Sequence, residues 1–170
     1  QRATDFQDVQ IFDPNGVIVI SASPLNIGKS QIEQPFFIEG QTKTFTQGFY
    51  ESDLFGKTTL TVATPLFDDN NKRIGVLALH FNLREVDSII REDQQLNEPI
   101  QSYLIARNRE IITDDPLILA KYPEMHSSAI DLALDGNEGI RSYINHDSEV
   151  VIGKYVPLEN QNAILLVEID

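Results

Sequence analysis

The chain has 170 residues, 41% of them hydrophobic, no cysteine and a formal net charge of −13 at pH 7. This length fits one large domain or two small ones. The charge argues against a nucleic-acid partner, whose phosphates need Lys and Arg, and against lying flat on an anionic membrane; the lack of cysteine excludes a disulfide framework and thiolate chemistry.

The first element is a hairpin. Val9–Phe12 is a short apolar run, Asp13-Pro14-Asn15-Gly16 is turn chemistry, and Val17–Ser21 is a second strand. Gln31–Gly40 then has room for a helix or a long loop. The stretch Ser30–Tyr50 concentrates Phe36, Phe37, Phe45, Phe49 and Tyr50 with poor strand periodicity. Aromatic side chains on a loop-rich segment either fill a core beside a sheet or line a pocket. The strand Leu60–Thr64 alternates apolar residues with Thr, consistent with one wet face, and the overlapping segment Thr61–Phe67 contains Thr64-Pro65-Leu66. After the polar turn Asp68–Lys72, Ile74–Phe81 is a more continuously apolar strand, expected at the centre of its sheet. His80 interrupts it, as either a hydrogen-bonded sheet histidine or a polar group lining a ligand pocket. A helix is expected from Asn82 to about Gln95, with Leu83, Val86, Ile89 and Ile90 on one face.

The second half repeats this layout at an offset of about 92 residues. Tyr103–Ala106, a polar turn and Ile111–Thr113 form a second strand–turn–strand. Pro116–Gly136 again leaves room for helices, one of them capped by Ser127 or Ser128 and stopped near Gly136. Ile152–Glu159 carries Val156-Pro157-Leu158, a polar turn follows, and Ile164–Ile169 closes the chain. Each half therefore reads as an antiparallel sheet with helices on one face, an α+β fold. Small modules of this size bury less of their surface than larger domains do, so each is expected to lean on a neighbour. The chain ends inside an apolar run and reads as part of a longer protein. No apolar run approaches the ~20 residues that span a bilayer, and no signal peptide is present.

Catalytic motifs are not apparent. Gly28-Lys29-Ser30 and Gly56-Lys57-Thr58 imitate a phosphate loop, but Ser23 and Glu51 stand where its first glycine belongs. His80, His126 and His146 have no metal-ligand spacing, so no metal is expected; His126 and His146 read as surface residues. Asp68-Asp69 and Asp114-Asp115 sit at turn positions.

Several of these segments together resemble a known family. Asp13-Pro14-Asn15-Gly16-Val17-Ile18 looks like an Asp-x-x-Gly-x-Ile hairpin, and Pro35-Phe36-Phe37 like an aromatic pair before a pocket helix. Ala63–Asp68 followed by Ile74-Gly75-Val76-Leu77 looks like the family's strand pair. Gly136–Tyr143, Val151–Leu158 and Leu166–Ile169 look like its second module. The pattern resembles the double Cache (tandem PAS-like) extracellular sensor domains of bacterial and archaeal receptors. The resemblance implies two tandem modules, a membrane-distal one over residues 1–95 with a connector helix and a membrane-proximal one over 96–170. It implies a long N-terminal stalk helix, missing from this chain, through which the receptor forms a homodimer.

The implied role is an extracytoplasmic, membrane-tethered ligand sensor on the periplasmic or extracellular side, with no enzymatic activity and no cofactor of its own. A histidine kinase, chemoreceptor or cyclase output part would lie outside the chain. The ligand site falls in the first module, on Gln34, Phe36, Phe37, Phe49, Tyr50 and His80. Members that bind amino acids carry an Arg two residues before an aromatic pair and an Asp on the last strand; here Gln34 and His80 stand at or near those positions. The partners for an α-carboxylate and an α-ammonium are thus both missing, and a small organic molecule met by aromatic and neutral polar groups fits better. A protonated His80 would favour an anion. Two other readings remain open: a hydrolytic or transfer enzyme using an Asp/Glu–His pair, and a protein-binding ectodomain without a small-molecule pocket.

Overall fold

A computed structural model describes residues 6–83, 86, 88, 90, 100–113, 116–122 and 124–169. The chain divides into two compact units, Gln1–Asn82 and Leu83–Asp170. The first contains β1 (Phe6–Phe12), β2 (Ile18–Ser21), α1 (Pro35–Gly40), β3 (Phe45–Ser52), β4 (Lys57–Phe67) and β5 (Arg73–Phe81). Its five-stranded sheet has the order β2-β1-β5-β4-β3, with every pairing antiparallel. The continuously apolar strand β5 lies at its centre.

The second unit contains β6 (Ile100–Ala106), α2 (Pro116–Lys121), α3 (Ser128–Leu134), β7 (Gly139–Ile144), β8 (Val150–Leu158) and β9 (Ala163–Ile169). Its four-stranded antiparallel sheet has the order β6-β9-β8-β7. Ser127 caps α3, its hydroxyl accepting from the Ile130 N–H, and Gly136 follows with φ of +83°. Of the helix expected between Asn82 and Gln95, Leu83, Val86, Ser88 and Ile90 are helical; the rest lies outside the described residues, as do Asp114 and Asp115. Among the described residues no helix is long and apolar enough to cross a membrane.

One device closes the tight turns. The Asp13 Oδ1 accepts the N–H groups of Asn15 and Val17, and the Asp68 Oδ1 those of Asn70 and Lys72. Asn145 does the same for Asp147 and Glu149. A short side-chain acceptor thus satisfies the donors that a sharp turn strands. The two phosphate-loop imitations are turns as well, with Gly28 and Gly56 at φ of +86° and +64°.

Three expectations need correction. Ile111–Thr113 is not a strand: Ile111 makes an isolated bridge to Ile105, Ile112 donates to the Leu104 carbonyl, and α2 opens soon after at Pro116. The aromatic stretch ending at Tyr50 is not loop-rich throughout, since Phe45, Phe49 and Tyr50 belong to β3. A bulge between Gln47 and Tyr50 breaks the two-residue alternation that would have revealed it. Finally, Thr59 and Thr61 of β4 are on the dry side. Thr59, Thr61 and Ala63 are fully buried, while Leu60 and Val62 are half-buried.

Gly75 shows how tightly the centre is built. A Cβ there would collide with the Phe12 carbonyl oxygen on β1. Gly75→Ala is expected to lower stability by about 1–3 kcal/mol or more, since backbone rather than a flexible side chain must yield. Guanidinium unfolding checks this, and an unchanged midpoint would contradict the close approach.

Candidate functional site

The inner face of the first sheet carries Phe12, Val76, Ala78 and Ala63 at one end, under α1. α1 is short, and three features hold it down. Pro35 opens it, the Phe36 N–H donates to the Gln47 Oε1 of β3 at 2.9 Å, and Gly40 closes onto the sheet. A Cβ on Gly40 would lie 2.8 Å from the Ala63 Cβ. The helix thereby presses Phe36 and Phe37 against Phe12, each with ring centroids 5.7 Å apart. Both are 1% exposed.

Towards the other end the same face turns polar. Asp8, Gln10, His80, Thr61 and Thr59 are all at most 2% exposed. Register explains the row: His80 stands opposite Asp8 on one side and Thr61 on the other. Asp8, Gln10, His80, Thr61 and Tyr50 form a continuous chain of hydrogen bonds, while the Thr59 hydroxyl donates to the Phe81 carbonyl. Gln10 Nε2 donates to Asp8 Oδ2 at 2.7 Å, and Gln10 Oε1 lies 3.1 Å from His80 Nε2. His80 Nδ1 lies 2.8 Å from Thr61 Oγ1, which lies 2.9 Å from the Tyr50 hydroxyl. Phe36 and Phe55 cover the imidazole edge-on, at centroid distances of 5.3 and 5.0 Å.

Asp8 is the charged end of this chain. Burial raises its carboxyl, but hydrogen bonds from Ser21, Gln10, Asn26 and the Ala22 N–H outweigh that and hold it below its usual range. Burial pushes His80 down to about 4, only partly opposed by the charge of Asp8. The ring is therefore neutral at pH 7 and does not favour an anion as a protonated His80 would. Burial likewise raises the Tyr50 hydroxyl, partly offset by hydrogen bonds with Thr61 and Ser52.

Of the residues singled out in the sequence, Phe36, Phe37, Tyr50 and His80 meet here. Gln34, at the start of α1, makes no side-chain cap and is half-buried. It lines a surface cleft of about 360 Å³ with Ser30, Gln31, Ile32, Glu33 and Asp53. Phe49 is buried but lies outside the cluster around Phe36. Asp8, Gln10, Thr61 and Phe55 were not anticipated. Polar residues alternating with Val9 and Ile11 on β1 are the signal for the first two, but alternation alone assigns them to the wet face.

The second unit differs. The Tyr143 hydroxyl donates to Glu168 Oε1 at 2.6 Å on its buried face. His146 is not a surface residue: its side chain is 7% exposed, wedged perpendicular to Tyr122 and Tyr103 at 4.4 and 5.5 Å. It lies 3.3 Å from the Asp147 carboxylate, which also accepts from the Tyr122 hydroxyl. His126 is exposed, as expected. Among the described residues, no group of three or more His, Asp or Glu side chains is placed to hold a metal.

The family model of the Cache domain matches residues 1–170, and the chain belongs to that family. Cache domains are ligand-sensing domains of receptors, histidine kinases and chemoreceptors, and not enzymes. Those of this type are extracellular or periplasmic. Among solved structures, the chain is similar to an extracellular ligand-binding receptor from Desulfohalobium retbaense, at 17% identity and a TM-score of 0.68 over 98% of this chain and 31% of that one. It is also similar to the ligand-binding domain of the Campylobacter jejuni chemoreceptor Tlp3 in complex with 4-methylisoleucine. There the identity is 16% and the TM-score 0.67, over 96% of this chain and 64% of that one. A third is the V. cholerae histidine kinase DctB sensor domain, with 13% identity and a TM-score of 0.63 over 96% and 71%. The chain thus spans less than two thirds of the length of the first two. Comparison with the curated proteins gives no match.

The neutral, buried His80 makes stability depend on pH. The unfolded ring binds its proton near 6.5 and the folded ring only near 4. Below 6.5 protons therefore favour the unfolded chain, and stability is expected to fall between pH 6.5 and 4 by at most roughly 3 kcal/mol. His146, also held below its usual value by burial, acts in the same sense. Denaturant unfolding across this range should show a shallower fall for His80→Gln. An unchanged slope would mean that the His80 imidazole is not buried in its neutral form.

Proposed function

From membership of the Cache domain family, we propose that this chain is the extracytoplasmic sensing part of a signal-transducing membrane receptor, and that its first unit binds a small organic molecule. The site lies between the inner sheet face and the segment Gln31–Tyr50, on Gln34, Phe36, Phe37, Phe49, Tyr50 and His80. The observation that carries this reading is the polar row on the inner sheet face, where the Phe36 and Phe55 rings cover His80. An apolar inner face would avoid the cost of desolvating polar groups. Five polar side chains at most 2% exposed, with two aromatic rings covering His80, fit a recognition surface better than an ordinary core, and Gln34 lines a cleft open to solvent.

In this reading residues 1–95 are the membrane-distal module and 96–170 the membrane-proximal one, tandem PAS-like modules of a double Cache sensor. The ligand biases two arrangements of the first module, by no more than its difference in affinity for them. The second module passes that bias towards the membrane. The stalk helix, the homodimer it forms and the output part, whether kinase, chemoreceptor or cyclase, belong to the rest of the receptor.

A second reading, a protein-binding ectodomain, is favoured by one observation. The outer face of β7 and β8 exposes Ile140, Ile144, Val150 and Ile152 at 60–72%, with Ile144 directly opposite Val150.

A thermal-shift screen over amines, alcohols, organic acids, purines and amino acids separates the two. A small ligand at 100 times its Kd should stabilise the chain by about 2.7 kcal/mol. Gln34→Ala, which removes no cap, should leave the ligand-free melt within about 0.5 kcal/mol and weaken the response. If no compound shifts the melt, the small-molecule reading fails. A strong response to an α-amino acid would overturn the inference from Gln34 and His80.

A further inference from the structure

The polar row has a direction, and one residue sets it. The Asp8 Oδ1 accepts two backbone donors, the N–H groups of Val9 at 2.8 Å and Ala22 at 2.9 Å. Its Oδ2 accepts three side-chain donors: Gln10 Nε2 at 2.7 Å, Ser21 Oγ at 2.7 Å and Asn26 Nδ2 at 3.1 Å. An ionised carboxylate only accepts, so the Gln10 amide must turn its nitrogen to Asp8 and its oxygen to His80. The His80 Nε2 must then carry the proton. In the neutral ring Nδ1 is left as an acceptor, which takes the single hydroxyl proton of Thr61. Thr61 in turn can only accept from Tyr50. Any further group on the Tyr50 oxygen has to donate.

We infer that Asp8 is the specificity-determining residue of the first unit's site: acting through Gln10, His80 and Thr61, it turns the Tyr50 oxygen into an acceptor and selects a hydrogen-bond donor, an amine or alcohol, over a carboxylate. This rests on the reading of the first unit as the ligand site. The cleft beside Gln34 agrees with it, since its lining carries two carboxylates, Glu33 and Asp53, and no cation. An anion in that cleft would meet like charge, and at Tyr50 it would meet no free proton.

The substitution Asp8→Asn reverses the argument. The two backbone donors cannot turn, so the new carbonyl oxygen must face them and the new NH2 must face Gln10, Ser21 and Asn26. The Ser21 hydroxyl and the Gln10 amide can turn to accept its two protons, while Asn26 stays held by the Lys29 ammonium on its Oδ1. Gln10 then flips, its nitrogen faces His80, and the ring proton moves to Nδ1. Thr61 now accepts from the ring and donates to Tyr50, which frees the tyrosine proton for a ligand acceptor.

The test is long-range 1H–15N spectroscopy of the His80 ring in the ligand-free 170-residue chain at neutral pH. The wild-type chain should show a protonated Nε2 and a bare Nδ1, and Asp8→Asn the opposite tautomer. A wild-type ring protonated at Nδ1, or a folded Asp8→Asn chain that keeps the wild-type tautomer, overturns the proposal. If Asp8→Asn does not fold, Gln10→Leu cuts the chain while leaving the other four donors on Asp8. It should give a mixture of tautomers, and an undiminished Nε2–H preference would overturn the proposal.

The binding arm uses n-propylamine and propionate, matched in carbon count. The amine should bind the wild-type chain at least about tenfold more tightly, a gap that Asp8→Asn narrows or reverses. Tighter binding of propionate by the wild type overturns the ligand class. If the tautomers invert as expected but neither probe binds, the ligand class and the binding reading fall together, and the hydrogen-bond chain stands.

Discussion

A carboxylate withdrawn from water has to be met by donors, and much of the first unit is arranged around one that is. Moving a charge into a protein interior costs several kcal/mol unless hydrogen bonds replace its hydration. Asp8 receives five. Three of them, from Ser21, Ala22 and Asn26, come from the end of β2 and the short helical turn Pro24–Asn26 that follows. The edge of the sheet is thereby folded back onto its second strand. The Gln10 bond leads the other way, across the central strand to His80 and on to β4 and β3. One buried charge ties all five strands through side chains, in addition to their backbone ladders. It also explains why an imidazole can sit beneath two aromatic rings without its own charge.

The second unit solves the same positions differently. His80 is paired with Asp8 and Thr61, and Glu168 is paired with Gln101 and Gly153. Tyr50 stands opposite Thr59, and Tyr143 opposite Val151. In both units, then, the outer-strand tyrosine is paired two residues along from the neighbour-strand partner of that polar residue, a diagonal step away from it. In the first, Thr61 stands between them and relays the bond. In the second, Gly153 has no side chain, and the Tyr143 ring fills the space where a Cβ would be. Tyr143 therefore reaches the Glu168 carboxylate directly, and burial together with that carboxylate pushes its hydroxyl well above its usual range.

The strands were the legible part of the sequence. Asp13-Pro14-Asn15-Gly16, Asp68–Lys72 and the two Pro-Leu segments mark turns and strands by local chemistry, and local chemistry survives into the fold. The site was legible only in its aromatic part, because Phe36 and Phe37 are conspicuous wherever they pack. Its polar half was hidden. Alternation on β1 and β4 separates Asp8, Gln10, Thr59 and Thr61 from their apolar neighbours, and the usual burial preference then places the polar set in water. Each becomes an acceptable interior residue only when its partner on another strand is in place. Those partnerships span 19 residues from Thr61 to His80 and 70 from Gln10 to His80. Burial of His146 was hidden likewise, since the rings that enclose it are set by β6 and by the residue following α2.

The contrast between the units bears on which of them admits a ligand. In the second unit the tyrosine seals onto a carboxylate with its ring packed over glycine, so entry would break a short charge-assisted bond and leave Glu168 short of a donor. In the first unit the tyrosine ends a chain of neutral groups, and α1 with the turn bearing Phe55 forms the roof. A ligand that displaces those rings leaves the Gln10–His80–Thr61 bonds intact beneath it. Opening the first site therefore exposes a polar surface that is already satisfied, whereas opening the second exposes one that is not. The proposal that the first unit senses and the second relays rests on that asymmetry.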